Sequence, residues 1–520
     1  MVDAPESAEE IAERSLDASH AIGQEELGPD LTLWNADLAP TTSAQRTWDW
    51  KAFAALWVAM VVCVPSYLLA SGLVGEGMAW WQATLTVLLG NAIILGPMIL
   101  VGHAGAKHGV PFPVLLRSSF GPEGAKIPAV ARGLVACGWF GINTWVGGSA
   151  IYAILNGVTG GAIAGTPLPL LGIDLAQTLS FLAFWGLHVY FIRAGTDSIR
   201  WLEVLAAPFL ILMSLALLAW AYFEAGGFGQ MLAAPSAFSP GGEKAGEFWP
   251  FFFASLTAMV GFWATMALNI PDFTRYAKSQ RDQAIGQAVG LPIPMAAFAF
   301  VGVAVTSATA TIYGEAIWDP VEVAARMGGF GVAVSLAALA VATLTTNLAA
   351  NVVAPAYGFS NLAPGRISFR MGGYITAGLG IAIFPWKLME SASTYLFTWL
   401  TGYSALLGPI AGILLADYFI IQRTNLAVPE LFRRDGRYEA MGGWNPAGLA
   451  ALVIGAAPSL PGFLAAIGAI PGAPAFFEAI YAYAWFVGFF VGGITYWILT
   501  TLLKAQLGAG QAAPLATEEG

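Results

Sequence analysis

Apolar residues run through this chain in long blocks, separated by short stretches that hold most of its charge. A hydrocarbon layer about 30 Å thick takes about 20 mostly apolar helical residues to cross. Twelve blocks meet that length, near 52–75, 80–102, 129–156, 173–192, 200–224, 248–272, 284–312, 329–353, 371–386, 391–420, 446–468 and 475–503. The ninth is short and the second carries Pro97. The alternating ten-residue pattern of a membrane barrel strand is missing. The pattern therefore predicts an all-α integral membrane protein with 12 transmembrane helices.

Composition agrees. Of 520 residues, 57% are hydrophobic and 10% charged, against about 25% charged in soluble domains. The basic residues test the span count. With a cytoplasmic N-terminus, alternate loops and the two flanking segments take 19 of the 22 Lys and Arg, leaving Lys244, Arg326 and Lys387 for the other side. One span more or fewer would scramble that partition, so the positive-inside bias predicts both termini in the cytoplasm.

The net charge of -10 resides mostly in tails and loops. Residues 1–30 hold nine acidic residues and no apolar run, which predicts a solvated tail. That stretch lacks the basic start and apolar centre of a signal peptide. Cys63 and Cys137 both fall inside predicted spans, where a thiol acts as a small apolar group and no disulfide is expected. Glu203, Asp272, Asp417 and His188 lie near the predicted cytoplasmic ends, and no chain of carboxylates crosses the midplane as in a proton relay. An ion held at the midplane must then be held by neutral oxygens.

Three stretches carry candidate chemistry. Residues 138–145 read Gly-Trp-Phe-Gly-Ile-Asn-Thr-Trp in a chargeless run from Gly133 to Ile173. Trp139 and Asn143 share a helix face, so they can stack on a flat ring and hydrogen-bond its edge together. Trp145, six residues from Trp139, faces elsewhere. The sixth span reads Met259-Val260-Gly261-Phe262-Trp263-Ala264-Thr265, and the eighth holds Thr345, Thr346, Asn347 and Asn351. Paired hydroxyls can ligate a hard cation, and the two asparagines, four apart, can face a ligand. Taken singly, each also reads as an ordinary bond between helices.

Helix breakers sharpen the picture. Pro65 interrupts the first span, and Gly261 followed by Pro271 the sixth. A proline frees a carbonyl one turn earlier, which in lipid must find a neighbour, a water or an ion. Interrupted helices at corresponding places in two halves point to a transporter site. Spans 1 to 5 and 6 to 10 would form such halves, inverted because each has an odd number of spans. Ordinary kinks are the other reading.

The segments Leu33 to Leu38, Ser66 to Gly72, Gly138 to Trp145, Leu268 to Tyr276, Thr345 to Pro355 and Leu407 to Gly412 together resemble the nucleobase-cation-symport-1 family. The resemblance covers roughly residues 30–505. It implies a LeuT-like fold, a 5+5 inverted repeat with two additional helices. The implied organisation is a cytoplasmic acidic tail at 1–50, a first repeat at 51–225, the inverted repeat at 226–420, two further helices at 421–504 and a cytoplasmic tail at 505–520.

Carried over by position, the family's stacking tryptophans fall on Trp139 and Trp263, and its amide contacts on Asn143 and Asn351. Phe262 stands where relatives that carry hydantoins look to have glycine, Asn143 where many relatives have glutamine, and Cys63 where relatives often have Gln or Asn. The family's sodium ligands fall on Ala59, Val62, Ala342, Thr345 and Thr346, and a gate on Leu400. The filled hydroxyl positions favour Na+ over H+ as the coupling ion. The resemblance thus implies import of a neutral planar nucleobase or ureide, of allantoin, uracil or hydantoin type, by cation symport. The expected setting is the inner (plasma) membrane, with a monomer in the lipid bilayer and no nucleic acid partner.

The alternatives are a proton-coupled permease for another purine, pyrimidine or heterocyclic vitamin, or a ligand-sensing receptor of the same fold. A membrane enzyme is disfavoured, because HExxH, GxSxG and Walker patterns and a Cys/His cluster are missing.

Overall fold

The computed structural model describes residues 30–511 apart from 31, 35, 37, 195, 328 and 365. Residues 1–29 of the acidic tail and 512–520 of the C-terminal tail lie outside the described residues. Among the described residues the regular elements are helices, joined by one isolated bridge between Trp48 and Ala277.

The first predicted span is two helices, α1 (Trp50–Val61) and α2 (Val64–Gly75), bent by 57°. The Asp49 carboxylate caps the start of α1 by accepting from the Ala52 N–H at 3.0 Å. Pro65 sits in the first turn of α2, where its missing N–H costs nothing but prevents continuation from α1. Extended backbone at Cys63, with φ -147° and ψ 158°, fills the break.

Next come α3 (Trp80–His108), the short α4 (Phe112–Phe120), α5 (Lys126–Val158), α6 (Leu175–Ala194) and α7 (Thr196–Glu224). The sixth span again divides, into α8 (Phe248–Phe262) and α9 (Ala264–Asn269), at Trp263. After it run α10 (Gln280–Gly290), α11 (Pro292–Tyr313), α12 (Pro320–Arg326), α13 (Gly329–Asn351) and α14 (Phe369–Ala382). The tenth span is α15 (Thr401–Leu415), flanked by π-helical turns at Thr394–Leu400 and Ala416–Ile421. The last two spans comprise α16 (Pro446–Ala456), α17 (Leu460–Ala466), α18 (Ala475–Ala482) and α19 (Ala484–Gln511).

A helix lies on every predicted block. Seven helices among the described residues are long and apolar enough to cross a membrane, and α1 with α2 makes a broken eighth. Part of α7, α8 and part of α13 are shorter apolar helices, while α14 has only 14 residues.

The outer surface matches a hydrocarbon solvent. On α3, Trp81, Leu85, Leu89, Ile93 and Leu100 form an exposed apolar stripe on one face. Inside, α5 packs with its glycines against neighbouring helices. A Cβ at Gly141 would meet the Gly380 carbonyl at 2.5 Å, and one at Gly148 the Phe181 Cα at 2.7 Å. Small residues permit such close approach where apolar lipid gives helices no reason to associate.

The face that the charge pattern assigns to the cytoplasm is fastened by polar bonds. Arg132 donates to Asn269 Oδ1 at 2.7 Å, the Phe112 N–H to Asp272 Oδ1 at 2.8 Å, and Thr274 to the Gly102 carbonyl at 2.8 Å. A strap ahead of α1 crosses the same face. The Thr41 N–H bonds Gly109 O at 3.0 Å, the Thr41 hydroxyl bonds Arg275 O at 2.5 Å, and Arg46 bonds Ala106 O at 2.6 Å. Trp48 completes the strap by exchanging backbone bonds of 2.9 Å with Tyr276 and Lys278.

Candidate functional site

The two helix breaks and the middle of α5 meet at one cavity of about 50 Å³. Its wall holds all six residues assigned to cargo by resemblance: Cys63 from the first break, Trp139 and Asn143 from α5, Phe262 and Trp263 from the second break, and Asn351 from the end of α13. Thr346, assigned to the ion, lines it too. Met60, Pro65, Thr265, Met266 and Ala350 complete the wall. Thr265 and Ala350 lie inside segments the sequence marks and Pro65 is marked as a breaker, but the sequence assigns none of the five to the site, and Met60 and Met266 are ordinary membrane-helix residues.

The aromatic rings meet edge to face. Phe262 stands 5.3 Å from Trp139 and 4.9 Å from Trp263, at interplanar angles of 79° and 90°. Trp57 props the far side of Trp263 at 5.1 Å and 84°. Such pairs hold an indole more firmly than area burial alone.

Tyr395, Trp399 and Tyr403 also press their rings on Trp139, at 6.1, 5.9 and 6.3 Å. This triplet recurs every four residues, a helical-face signal that sequence reasoning passed over. Trp145 instead packs on Phe181 and Trp386, away from the cavity as its spacing predicts.

Both carboxamides are oriented by their bonds. Asn143 Nδ2 donates to the Trp139 carbonyl at 3.0 Å, and its buried Oδ1 has no partner among the described residues. Asn351 Nδ2 donates to Asn347 Oδ1 at 3.0 Å. Asn347 does not face a ligand: it is fully buried, and its Nδ2 lies 3.0 Å from Phe140 O, 3.3 Å from Thr144 Oγ1 and 3.0 Å from His188 Nε2. Two asparagines four apart share a face, but their depth depends on neighbouring helices. The indole N–H of Trp263 is likewise buried without a partner among the described residues.

Near the residues assigned to the ion, the first break redirects a backbone donor. The Cys63 N–H bonds Val61 O at 3.0 Å, so the Ala59 carbonyl loses the partner an unbroken helix would supply. Val62 and Ala342 line a neighbouring, largely apolar cavity of about 80 Å³ that also touches Cys63. The Thr345 hydroxyl donates within its own helix, to Val341 O at 3.1 Å and Ala342 O at 3.0 Å, which leaves its lone pairs for a cation.

Leu400 lies fully buried and outside the cavity wall. It adjoins the second break, where its carbonyl accepts from Ser404 at 2.6 Å. Cys63 and Cys137 are both buried free thiols.

The fold is similar to that of Mhp1, a nucleobase-cation-symport-1 transporter solved in a closed conformation with bromovinylhydantoin bound. Its TM-score is 0.72 and its identity 24%, covering 91% of this chain and 96% of that one. In this LeuT-like fold, two broken helices surround a buried cavity of aromatic and carboxamide side chains.

A family model described as permease for cytosine/purines, uracil, thiamine and allantoin matches residues 40–488. The purine-uracil permease NCS1 of Arabidopsis thaliana is 46% identical over 487 residues, 93% of this chain and 80% of that protein. The allantoin permease of Bacillus subtilis is 40% identical over 470 residues, 90% and 93% of the two chains. The chain belongs to this permease family: it is a multi-pass membrane carrier, not an enzyme.

Proposed function

We propose that this permease imports a neutral, planar nucleobase or ureide, of the allantoin, uracil or hydantoin kind, together with Na+. The observation that carries the reading is the single cavity shared by Trp139, Trp263, Asn143 and Asn351, which no Lys or Arg among the described residues lines. Without a cation in its wall, the cavity suits a neutral cargo better than a carboxylate. The relatives' names, purine-uracil and allantoin permease, agree with that chemistry.

In this mechanism the cargo ring slides between the indoles of Trp139 and Trp263, displacing Phe262 from its edge-on position. The two carboxamides pair the cargo's polar edge. An analogue lacking one partner leaves a buried amide unpaired, at about 1 to 3 kcal/mol.

Na+ is held by the Ala59, Val62 and Ala342 carbonyls and the Thr345 and Thr346 hydroxyls, an all-oxygen set suited to a hard cation. Its binding and the cargo's strengthen each other by the same factor. Leu400, against the second break, couples closure to the tenth span.

The halves 51–225 and 226–420 act as the two rocking repeats, followed by two helices at 421–504. Twelve spans, both tails in the cytoplasm, the inner (plasma) membrane and a monomeric carrier complete the proposal.

Proteoliposome uptake tests it. Labelled uracil or allantoin should accumulate under an inward Na+ gradient; uptake unaltered when choline replaces Na+ at constant pH would overturn Na+ coupling.

A further inference from the structure

A buried histidine outside the cavity is bonded to the asparagine that holds the Asn351 carboxamide. His188 on α6 has Nδ1 2.9 Å from the Phe184 carbonyl. A carbonyl only accepts, so Nδ1 carries the ring proton. The opposite nitrogen, Nε2, faces Asn347 Nδ2 at 3.0 Å, and the Phe140 carbonyl, also at 3.0 Å, already requires an N–H at that end of Asn347. Nε2 therefore accepts, and the ring is neutral.

With its NH2 end turned to three acceptors, the Phe140 carbonyl, the Thr144 hydroxyl and His188 Nε2, Asn347 turns Oδ1 to Asn351 Nδ2 at 3.0 Å. An oxygen of this kind only accepts, so the NH2 of Asn351 is committed to that side and its own Oδ1 to the other, where Asn351 lines the cavity. Asn143 is set the same way by the Trp139 carbonyl, with Oδ1 buried and without a partner among the described residues.

We infer that His188, acting through Asn347, is a positioning residue that turns the Asn351 carboxamide oxygen to the cavity, beside the Asn143 carboxamide that the Trp139 carbonyl orients. The cargo class follows, given the site proposed above: rings bearing two N–H donors on a lactam, imide or ureide edge. N-methylation of that edge removes the donors and puts methyl groups against two buried acceptors. Sequence spacing pairs Asn347 with Asn351, but the element that orients them comes from α6, distant in the chain and never touching cargo.

The test uses the purified full chain and tryptophan fluorescence titration with uracil, hydantoin and allantoin and the N-methylated form of each. The wild type should prefer at least one parent over its methylated form by about tenfold or more, one missing hydrogen bond's worth. His188→Leu, which removes the acceptor, should shrink that ratio to about threefold or less by weakening the parent alone. Asn347→Asp, equal in size but unable to donate to Phe140 O, should do likewise. His188→Gln, whose side-chain oxygen reaches the place of Nε2, should restore at least half of the lost discrimination.

A wild-type ratio in His188→Leu or Asn347→Asp, a ratio in His188→Gln as low as in His188→Leu, or a wild type indifferent to methylation would each overturn the inference. Trp139→Ala separates it from the underlying site: wild-type binding in that variant removes the site itself, whereas lost binding there with an unaltered His188→Leu ratio removes the relay alone.

Discussion

The hydroxyl of Tyr403 donates to the carbonyl of Gly261 at 2.9 Å, tying the tenth span to the break in the sixth. The same ring lies 6.3 Å from Trp139, so one side chain braces both the interrupted backbone and the Trp139 indole. Tyr403→Phe keeps the ring and deletes the brace. Cargo affinity should fall by about 0.5 to 1.5 kcal/mol, the worth of one hydrogen bond, as measured by fluorescence titration, with the amount of protein in the membrane unchanged. Unaltered affinity would show that the bond has no part in shaping the site.

Asn143 should show opposite effects on stability and on function. Its Oδ1 is buried without a partner among the described residues, a cost that cargo would relieve under the proposed function. Asn143→Ala is expected to weaken cargo binding by about 1 to 3 kcal/mol while the cargo-free Tm holds or rises. A Tm that drops alongside affinity would mark Asn143 as packing.

Gly138 leaves room for Trp399. A Cβ there would overlap the indole, with Cζ2 at 2.8 Å, and Trp399 in turn presses on Trp139 at 5.9 Å. Gly138→Ala should cost about 1 to 3 kcal/mol through overpacking and reduce cargo affinity by displacing Trp399. Thermal unfolding and titration on one preparation measure both effects, and a variant with wild-type values would show that Trp399 yields freely.

Thr345→Val preserves shape and removes a hydroxyl bonded only within its own helix. An ion that binds the folded state raises Tm by mass action, so the wild type should be stabilised when Na+ replaces choline, and Thr345→Val should not. An equal Na+ response in both would move the ion elsewhere.

The spans were legible because hydrocarbon admits few alternatives to a long apolar helix. Pro65 announced the first break by its missing N–H. The second break was less readable: Pro271 starts a later turn, whereas the helix parts at Trp263, with no proline in place. There Gly261 admits Ser404 and the Leu400 carbonyl at the positions a Cβ would occupy, a contact between distant spans. Likewise, helical spacing put Asn347 and Asn351 on one face, yet α5 and α6 bury the first and leave the second at the cavity. Local chemistry was visible along the chain, and depth was not.

The strap formed by Thr41, Arg46 and Trp48 fastens two segments that are distant in the chain, on the face that the charge pattern assigns to the cytoplasm. Its bonds run to the end of α3 and to the turn after α9, so those two segments move together or part only when several bonds of about 0.5 to 1.5 kcal/mol each give way. Any motion that separates those two segments must break these bonds, and a chain trimmed to begin at residue 49 would keep every helix described above while losing them.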